Sequence, residues 1–361
     1  MTQKTRCACK KARGLELPGL EGNDEMGLLS LPSTRCVRGR RECPGPRYNN
    51  NRRTRSVRPA FVTQGVAAGA GLCQIKYSAS KLIVAGGLKM QQTRDWTQLS
   101  DSTLVRYEVQ RGVALITLTD PPANTYTYAM MRQLDEAILR ARFDPAVQVL
   151  VLTGDGAKFF CAGANIQMLQ EVDPTFKYYF CMHANETLNR LEQTPKVVIA
   201  AINGHCVGGG LEIALAADIR YARRGEAKIG LPEINLGVLP GTGGTQRLAR
   251  TLGRAKALEL MLEGKTLSIE QALALGLLNR VSSSENFLEE VLAYAGEFVP
   301  PRRASMAAGH IKRAVLSGME MAFAEGLSLE RELQQRLFTS QDAAEGIRAY
   351  NEKRPPSFSG K

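Results

Sequence analysis

The stretch from Lys196 to Arg247, KVVIAAINGHCVGGGLEIALAADIRYARRGEAKIGLPEINLGVLPGTGGTQR, constrains the fold of this 361-residue chain more than any other. Val197, Val198, Ile199 and Ile202 form a β-branched, extended run that breaks at Asn203-Gly204. Gly208, Gly209 and Gly210 then stand directly before a helical pattern that begins with Leu211 and Glu212. The order is strand, glycine turn, helix start. Glycine lets backbone approach a ligand closely, and the unpaired N–H groups of a first helical turn favour developing negative charge. Such a turn can hold an oxyanion. Glu212 lies in that first turn, and Glu233 follows Leu231-Pro232 at the end of another extended segment. Taken singly, a glutamate in a first turn only compensates the helix dipole, and a glycine triplet only makes a tight turn. The apolar run from Ile213 to Ala217, however, marks buried surroundings for Glu212, where carboxyl pKa values are tuned. Two carboxylates beside an amide cradle point to acid/base chemistry on an enolate.

Charge separates the first quarter of the chain from the rest. Residues before Met90 hold 17 of the 47 Lys and Arg and 5 of the 35 Asp and Glu, so the remainder carries 30 of each and is neutral. The net charge of +12 therefore says little about the folded part, and a nucleic-acid or anionic-membrane partner is a reading for the first quarter alone. That quarter also holds five of the eight cysteines, Cys7, Cys9, Cys36, Cys43 and Cys73, and the basic cluster Arg52-Arg53-Thr54-Arg55. Its cysteines form no paired CxxC that would suggest zinc. It shows no sustained helical or strand periodicity, and is expected to be disordered or to precede a true start at Met90. A start there implies a cytoplasmic location; a cleaved presequence would imply the mitochondrial matrix.

From Thr103 the pattern becomes regular. Val105 to Val109 alternates, Arg111-Gly112 turns, and Val113 to Leu118 reads as the second strand of a hairpin. Helical spacing runs from Tyr128 to Arg142, and Val149 to Leu152 is apolar on both faces, as a buried strand requires. The small-residue loop Phe159 to Ile166 then offers a second place for backbone to meet a ligand. A helix over Pro174 to Leu191 leads into the Lys196 strand, so strands and helices alternate as in an α/β core with ligand sites at strand ends. Beyond Gly244 the chain reads as mostly helical: Gln246 to Thr251, Ala255 to Glu263, Ile269 to Leu275, Phe287 to Phe298, Ser305 to Leu316 and Met319 to Phe338, with Leu278 to Val281 extended. So long a helical tail needs an apolar partner surface, such as another subunit.

Other site types are not met. There is no GxSxG elbow, GTGGTQ places Gln246 where a dinucleotide fingerprint has its last glycine, and no phosphate loop closes with GKS or GKT. His183, His205 and His310 lack metal-ligand spacing and are read as structural, so no metal is expected. Cys161, Cys181 and Cys206 read as small core residues. No apolar run has the length of a membrane span.

The segment from about Thr103 to Phe358 resembles the crotonase superfamily, and within it the enoyl-CoA hydratase family. The resemblance rests on DPPANTYTYAM, FFCAGANI, INGHCVGGGLEIALAADIRYA with GLPEINLGVLPGTGGTQRL, and FTSQDAAEGIRAYNEKRPPSF, in that order. It implies an α/β fold: a spiral of ββα repeats over residues 103–285, then a helical oligomerisation region over 286–361, with residues 1–102 outside it. By the same resemblance, the oxyanion hole is formed by the backbone N–H groups of Ala164 and Gly209, and the working carboxylates are Glu212 and Glu233. Ala123, Ala162 and Ile166 match positions lining the CoA thioester, and Lys353 matches a basic residue near the CoA phosphates. Asn165 stands where relatives often carry aspartate.

The implied reaction is hydration of a trans-2-enoyl-CoA to the 3-hydroxyacyl-CoA. It needs no cofactor, since CoA is part of the substrate, and the resemblance implies a homotrimer or dimer of trimers. An enoyl-CoA isomerase, with one working carboxylate at the Glu233 position, is the nearest alternative; a thioester hydrolase or carbon–carbon lyase on the same cradle follows. An RNA-binding protein on the same scaffold, using the basic first quarter, is the alternative from another class.

Overall fold

The structure, a computed structural model, describes residues 102–361, and the expectations for the disordered, basic first quarter lie outside the described residues. Strands β1 (Val105–Gln110) and β2 (Val113–Leu118) form the expected antiparallel hairpin, with Val105 opposite Leu118 and Gln110 opposite Val113. Arg111 and Gly112 turn it at positive φ, 49° and 81°, as a two-residue hairpin matching strand twist requires. Helix α1 (Tyr128–Phe143) crosses over to β3 (Val149–Gly154), which pairs parallel with β2.

From β3 onward each circuit of the chain does the same thing. It gives one strand to a large sheet, a short strand to a second sheet, and then a helical segment. Strand β3 is followed by β4 (Phe159–Cys161), α2 (Ile166–Glu171) and α3 (Pro174–Glu192). Strand β5 (Val197–Ile202) is followed by β6 (His205–Val207) and α4 (Gly209–Leu215). Strand β7 (Ile219–Arg223) is followed by β8 (Ile229–Gly230) and a 3-10 turn, Glu233–Leu236. The large sheet has the order β1-β2-β3-β5-β7-β10 and the small one β4-β6-β8-β9, where β9 is Thr266–Leu267 and β10 is Arg280–Ser282. This is the expected ββα spiral.

The central strands are apolar on both faces because both are covered. Leu150, Leu152, Val198, Ala200 and Ile202 join the core beneath α1 and α3. Their alternates Val149, Val151, Ile199 and Ala201 pack instead against Phe287, Val291 and Ala295 of α8 (Phe287–Gly296). Period-two alternation thus serves two apolar layers.

The chain continues through α5 (Gly244–Leu252), α6 (Arg254–Glu263) and α7 (Ile269–Ala274), and ends in α9 (Ser305–Gly318), α10 (Phe323–Phe338) and α11 (Gln341–Asn351). Some details differ from the sequence expectation. The Phe159 to Ile166 loop contains a strand, β4, too short to show a period. The expected helix from Met319 starts at Phe323, because Met319 to Ala322 turn the chain so that α10 packs on α9. Helix α9 is fastened to the sheet by Lys312, whose ammonium lies 2.9 Å from the Asp218 carboxylate, which in turn accepts the Val198 N–H at 2.8 Å.

Asn203 is a main anchor of the turn from β3 to β4. Asn203 donates from Nδ2 to Gly154 O at 2.9 Å and Gly156 O at 2.7 Å, while its Oδ1 accepts the Gly154 N–H at 3.2 Å. It is 8% exposed, so water cannot replace these bonds. Asn203→Ala is expected to destabilise the fold by roughly 2 to 4 kcal/mol, the scale of several buried polar groups left unpaired. Denaturant unfolding measures it, and a loss below about 1 kcal/mol would contradict this account of the turn.

Candidate active site

Two loops build the amide cradle. The first joins β4 to α2, where Gly163 adopts φ 90°, a backbone region that L side chains rarely enter. Tyr126 pairs with this loop: its N–H donates to Gly163 O at 2.9 Å and its carbonyl accepts the Asn165 N–H at 3.0 Å. A parallel bridge of that kind turns the N–H of Ala164, between the two, away from Tyr126. The second loop is the glycine turn between β6 and α4, with Gly208 at φ 57° and Gly209 opening the helix. The loops touch: a Cβ on Gly163 would lie 3.0 Å from the Gly209 nitrogen. Among the described residues, neither the Ala164 N–H nor the Gly209 N–H has an acceptor.

Of the other apolar positions assigned by resemblance, Ala162 lies on the first of these loops, Ala123 on the loop between β2 and α1, and Ile166 in α2. Ala162 donates its N–H to Ala123 O at 3.0 Å. Asn124 fixes the loop that carries Ala123. It is buried at φ 51°, and its Nδ2 donates to Asp155 O and Phe159 O, each at 3.0 Å. Ile166 is the first residue of α2 and is exposed. Asn165 caps α2, its Oδ1 accepting the Met168 N–H at 2.9 Å. Lys353 is not brought to this cluster. It follows α11 at φ 56°, is exposed, and its N–H donates to Tyr350 O.

The two glutamates sit in contrasting environments. Glu212 is 2% exposed. Its Oε1 accepts the Thr242 N–H at 2.8 Å and the Gly244 N–H at 2.7 Å, and its Oε2 accepts the Thr242 hydroxyl. Burial pushes its carboxyl above the ordinary range, against the pull of these three donors and of the Arg247 charge. Glu233, in the 3-10 turn after Pro232, lies against the glycine turn, where a Cβ on Gly208 would stand 3.2 Å from its Oε1. Its Oε2 is buried without a hydrogen-bond partner among the described residues. Burial, with the Glu212 charge adding to it, pushes the Glu233 carboxyl up to about 7. The site thus offers two amides without acceptors, a held carboxylate and a carboxyl that changes charge near neutral pH. That combination can stabilise an oxyanion and move a proton beside it.

Sequence reasoning missed the residues that hold Glu212. GTGGTQ fails as a dinucleotide fingerprint and enters the family resemblance with no role for its residues, yet it supplies both amides and the hydroxyl that bind Glu212. The loop is braced from α3: Asn185 donates to Gly241 O at 3.0 Å, and Arg247 donates to Thr242 O at 3.3 Å while pairing with Glu192 at 2.8 Å. Glycine is required at 244, where a Cβ would meet Glu212 Oε1 at 2.9 Å.

The chain is similar to known proteins over most of its described length. A family model described as "Enoyl-CoA hydratase/isomerase" matches residues 108–361. The chain is 37% identical over 254 residues to a probable enoyl-CoA hydratase of Bacillus subtilis (strain 168), covering 70% of this chain and 97% of that relative. It is also 37% identical over 257 residues to the 2,3-dehydroadipyl-CoA hydratase of Escherichia coli (strain K12), covering 70% and 97%. A crystal structure of an enoyl-CoA hydratase from Geobacillus kaustophilus HTA426 superposes with a TM-score of 0.70 at 42% identity, covering 73% of this chain and 98% of that one.

The raised Glu233 carboxyl links stability to pH. An unfolded glutamate titrates near its ordinary value of 4.5 and the folded one near 7, so between those values the folded state binds more protons. This group therefore stabilises the fold at low pH, and its contribution is lost as pH rises from about 4.5 to about 7. Thermal unfolding of the parent and of Glu233→Gln across that window should give curves that differ in slope, with the variant gaining relative to the parent as pH rises. Parallel curves would show that Glu233 titrates normally.

Proposed function

We infer that this chain, which belongs to the enoyl-CoA hydratase/isomerase family, adds water across the double bond of trans-2-enoyl-CoA thioesters. The thioester carbonyl accepts hydrogen bonds from the N–H groups of Ala164 and Gly209. As the water oxygen bonds to Cβ, the π electrons move toward Cα and the carbonyl oxygen, and the two amides meet that charge where it develops. Loss of one such donor typically costs about 3 to 4 kcal/mol of barrier. Glu212, held by three donors, orients the water; Glu233 takes a proton from it and delivers a proton to Cα on the same face. The observation that supports this reading best is the placement of Glu233 against the glycine turn, with one oxygen unpartnered and a carboxyl that titrates near 7.

Ala123, Ala162 and Ile166 line the thioester in this reading, and Leu236, Val238 and Leu239, exposed just beyond Glu233, offer an apolar rim for the acyl chain. Lys353 serves the CoA phosphates on the ground of its charge and of the resemblance. Assembly as a trimer, or a dimer of trimers, would cover the apolar side chains that α9 and its neighbouring turn expose, Ile311, Val315 and Met319. Sedimentation should then give three or six chains per particle, and a monomer would overturn the assembly.

The competing reading within the family is isomerisation, which needs one carboxylate. Three hydrogen bonds spent on fixing Glu212 favour the reaction that uses two. The discriminating measurement is loss of enoyl absorbance with crotonyl-CoA for the parent, Glu212→Gln and Glu233→Gln. Each substitution should lower kcat by roughly 10²- to 10⁴-fold, the usual contribution of a positioned acid or base. Full isomerisation of a 3-enoyl-CoA by Glu212→Gln, with no hydration by the parent, would replace hydratase by isomerase.

A further inference from the structure

We propose that Tyr126 and Thr242 are positioning residues that keep Glu212 an acceptor-only carboxylate, through a hydrogen-bond chain from the Tyr126 phenol to the Thr242 hydroxyl to Glu212 Oε2. The inference deepens the two-carboxylate reading above and rests on it. It follows from counting protons. A threonine hydroxyl has a single hydrogen, and that of Thr242 goes to Glu212 Oε2. Tyr126 Oη lies 3.4 Å from Thr242 Oγ1 with both atoms buried. With the threonine proton already committed, the phenol is the donor in that contact. Burial and the Glu212 charge hold the phenol well above its ordinary range, so it keeps the proton it must give.

The chain of donors runs one way, toward the carboxylate. Reversed, it would require Glu212 to carry a proton, a form that burial favours and that the two amides on Oε1, the threonine hydroxyl and Arg247 oppose. Thr242 alone could rotate its hydroxyl toward other acceptors; the phenol, by occupying a lone pair of Oγ1, leaves the Glu212 direction for the threonine proton.

Tyr126 is itself immobilised. Its ring packs on Phe180 with centroids 5.8 Å apart, and its backbone is pinned on both sides to the Gly163 loop. A Cβ on Gly209 would lie 2.1 Å from its oxygen. The same residue thus aligns the Ala164 loop through its backbone, packs against the helix start that carries Gly209, and orders the donors on Glu212. The other titratable or charged groups around Glu212 are Glu233, Cys181 and Arg247. Glu233 raises the cost of a second negative charge, Cys181 is held neutral by burial and by Glu212, and Arg247 favours the carboxylate.

The test is the pH dependence of crotonyl-CoA hydration by Thr242→Val, Thr242→Ser and Tyr126→Phe, each first shown to be folded by circular dichroism. Removing the threonine hydroxyl removes a donor to the charged form, so the carboxyl titrates higher. The acid limb of kcat/KM should move to a pH about one unit higher in Thr242→Val, with kcat lowered roughly 10- to 100-fold and KM little changed. Thr242→Ser should restore both. Tyr126→Phe should move the limb in the same direction by less. If Thr242→Val does not fold, Tyr126→Phe, which deletes one oxygen, carries the test. Profiles of Thr242→Val and Tyr126→Phe that superimpose on the parent's, or a Thr242→Ser no better than Thr242→Val, would overturn the proposal and leave the hydratase reading intact. Failure of the parent to hydrate any enoyl thioester would sink that reading instead. Infrared titration of the Glu212 carboxyl band, identified with Glu212→Gln, then reads the proposal without turnover, and an unchanged titration in Thr242→Val refutes it.

Discussion

A carboxylate taken out of water must be given back its hydrogen bonds, and much of this structure can be read as the means of doing so for Glu212. The residue sits in the first turn of α4, whose entry is set by the glycine turn after β6. Its donors come from the Thr242 to Gly244 loop, about thirty residues further along the chain. That loop is held in turn by Asn185, Asn189, Glu192 and Arg247, so α3 and α5 are tied together around one carboxyl group. Most of these braces are themselves part-exposed, so each adds a modest constraint, and together they leave the loop one arrangement around the buried carboxyl.

The amide cradle depends on the opposite condition, that two donors stay unpaired. Free N–H groups beside a packed core persist where the surrounding backbone is fixed by other bonds. Two asparagines do much of this. Asn124 holds the segment before Tyr126 against the strand β4, and Asn203 holds the β3 to β4 turn against the end of β5. With both strand ends fixed, Tyr126 can pair with Gly163 and Asn165 and leave the Ala164 N–H facing outward. The cost of two unsatisfied donors falls at the place where a substrate oxygen would relieve it.

The sequence carried the larger elements because they repeat a simple physical pattern. Runs such as Val149 to Leu152 can only be covered strands, and Tyr128 to Arg142 shows the spacing of a one-sided helix. The glycine turn and the two glutamates were legible for the same reason, since strand, turn and helix start lie within a few residues of one another. What could not be read depends on contacts far apart in the chain. Strands β4, β8 and β9 have two or three residues and no period to detect. Tyr126 and Thr242 meet across 116 residues, and neither is unusual in its own neighbourhood. Helix α11 begins at a Ser340 cap after the long pattern of α10, and the extended backbone of Ser340, with its cap bond to Ala343 N, separates the two as elements. Lys353, named by resemblance, is an exposed residue after α11, and charge alone does not fix where such a side chain points.

The contrast between the two glutamates is then a consequence of donors rather than of distance. Two neighbouring carboxylates in a partly dehydrated cleft resist ionising together, and the pair settles on whichever member has the better-satisfied charge. Three donors and Arg247 favour the charge on Glu212, against the burial that raises its carboxyl. Glu233, with a buried oxygen that nothing satisfies, is left as the member that exchanges a proton near neutral pH. The asymmetry needs no difference in residue type. It is built by a threonine and two backbone amides on one side, and by their absence on the other.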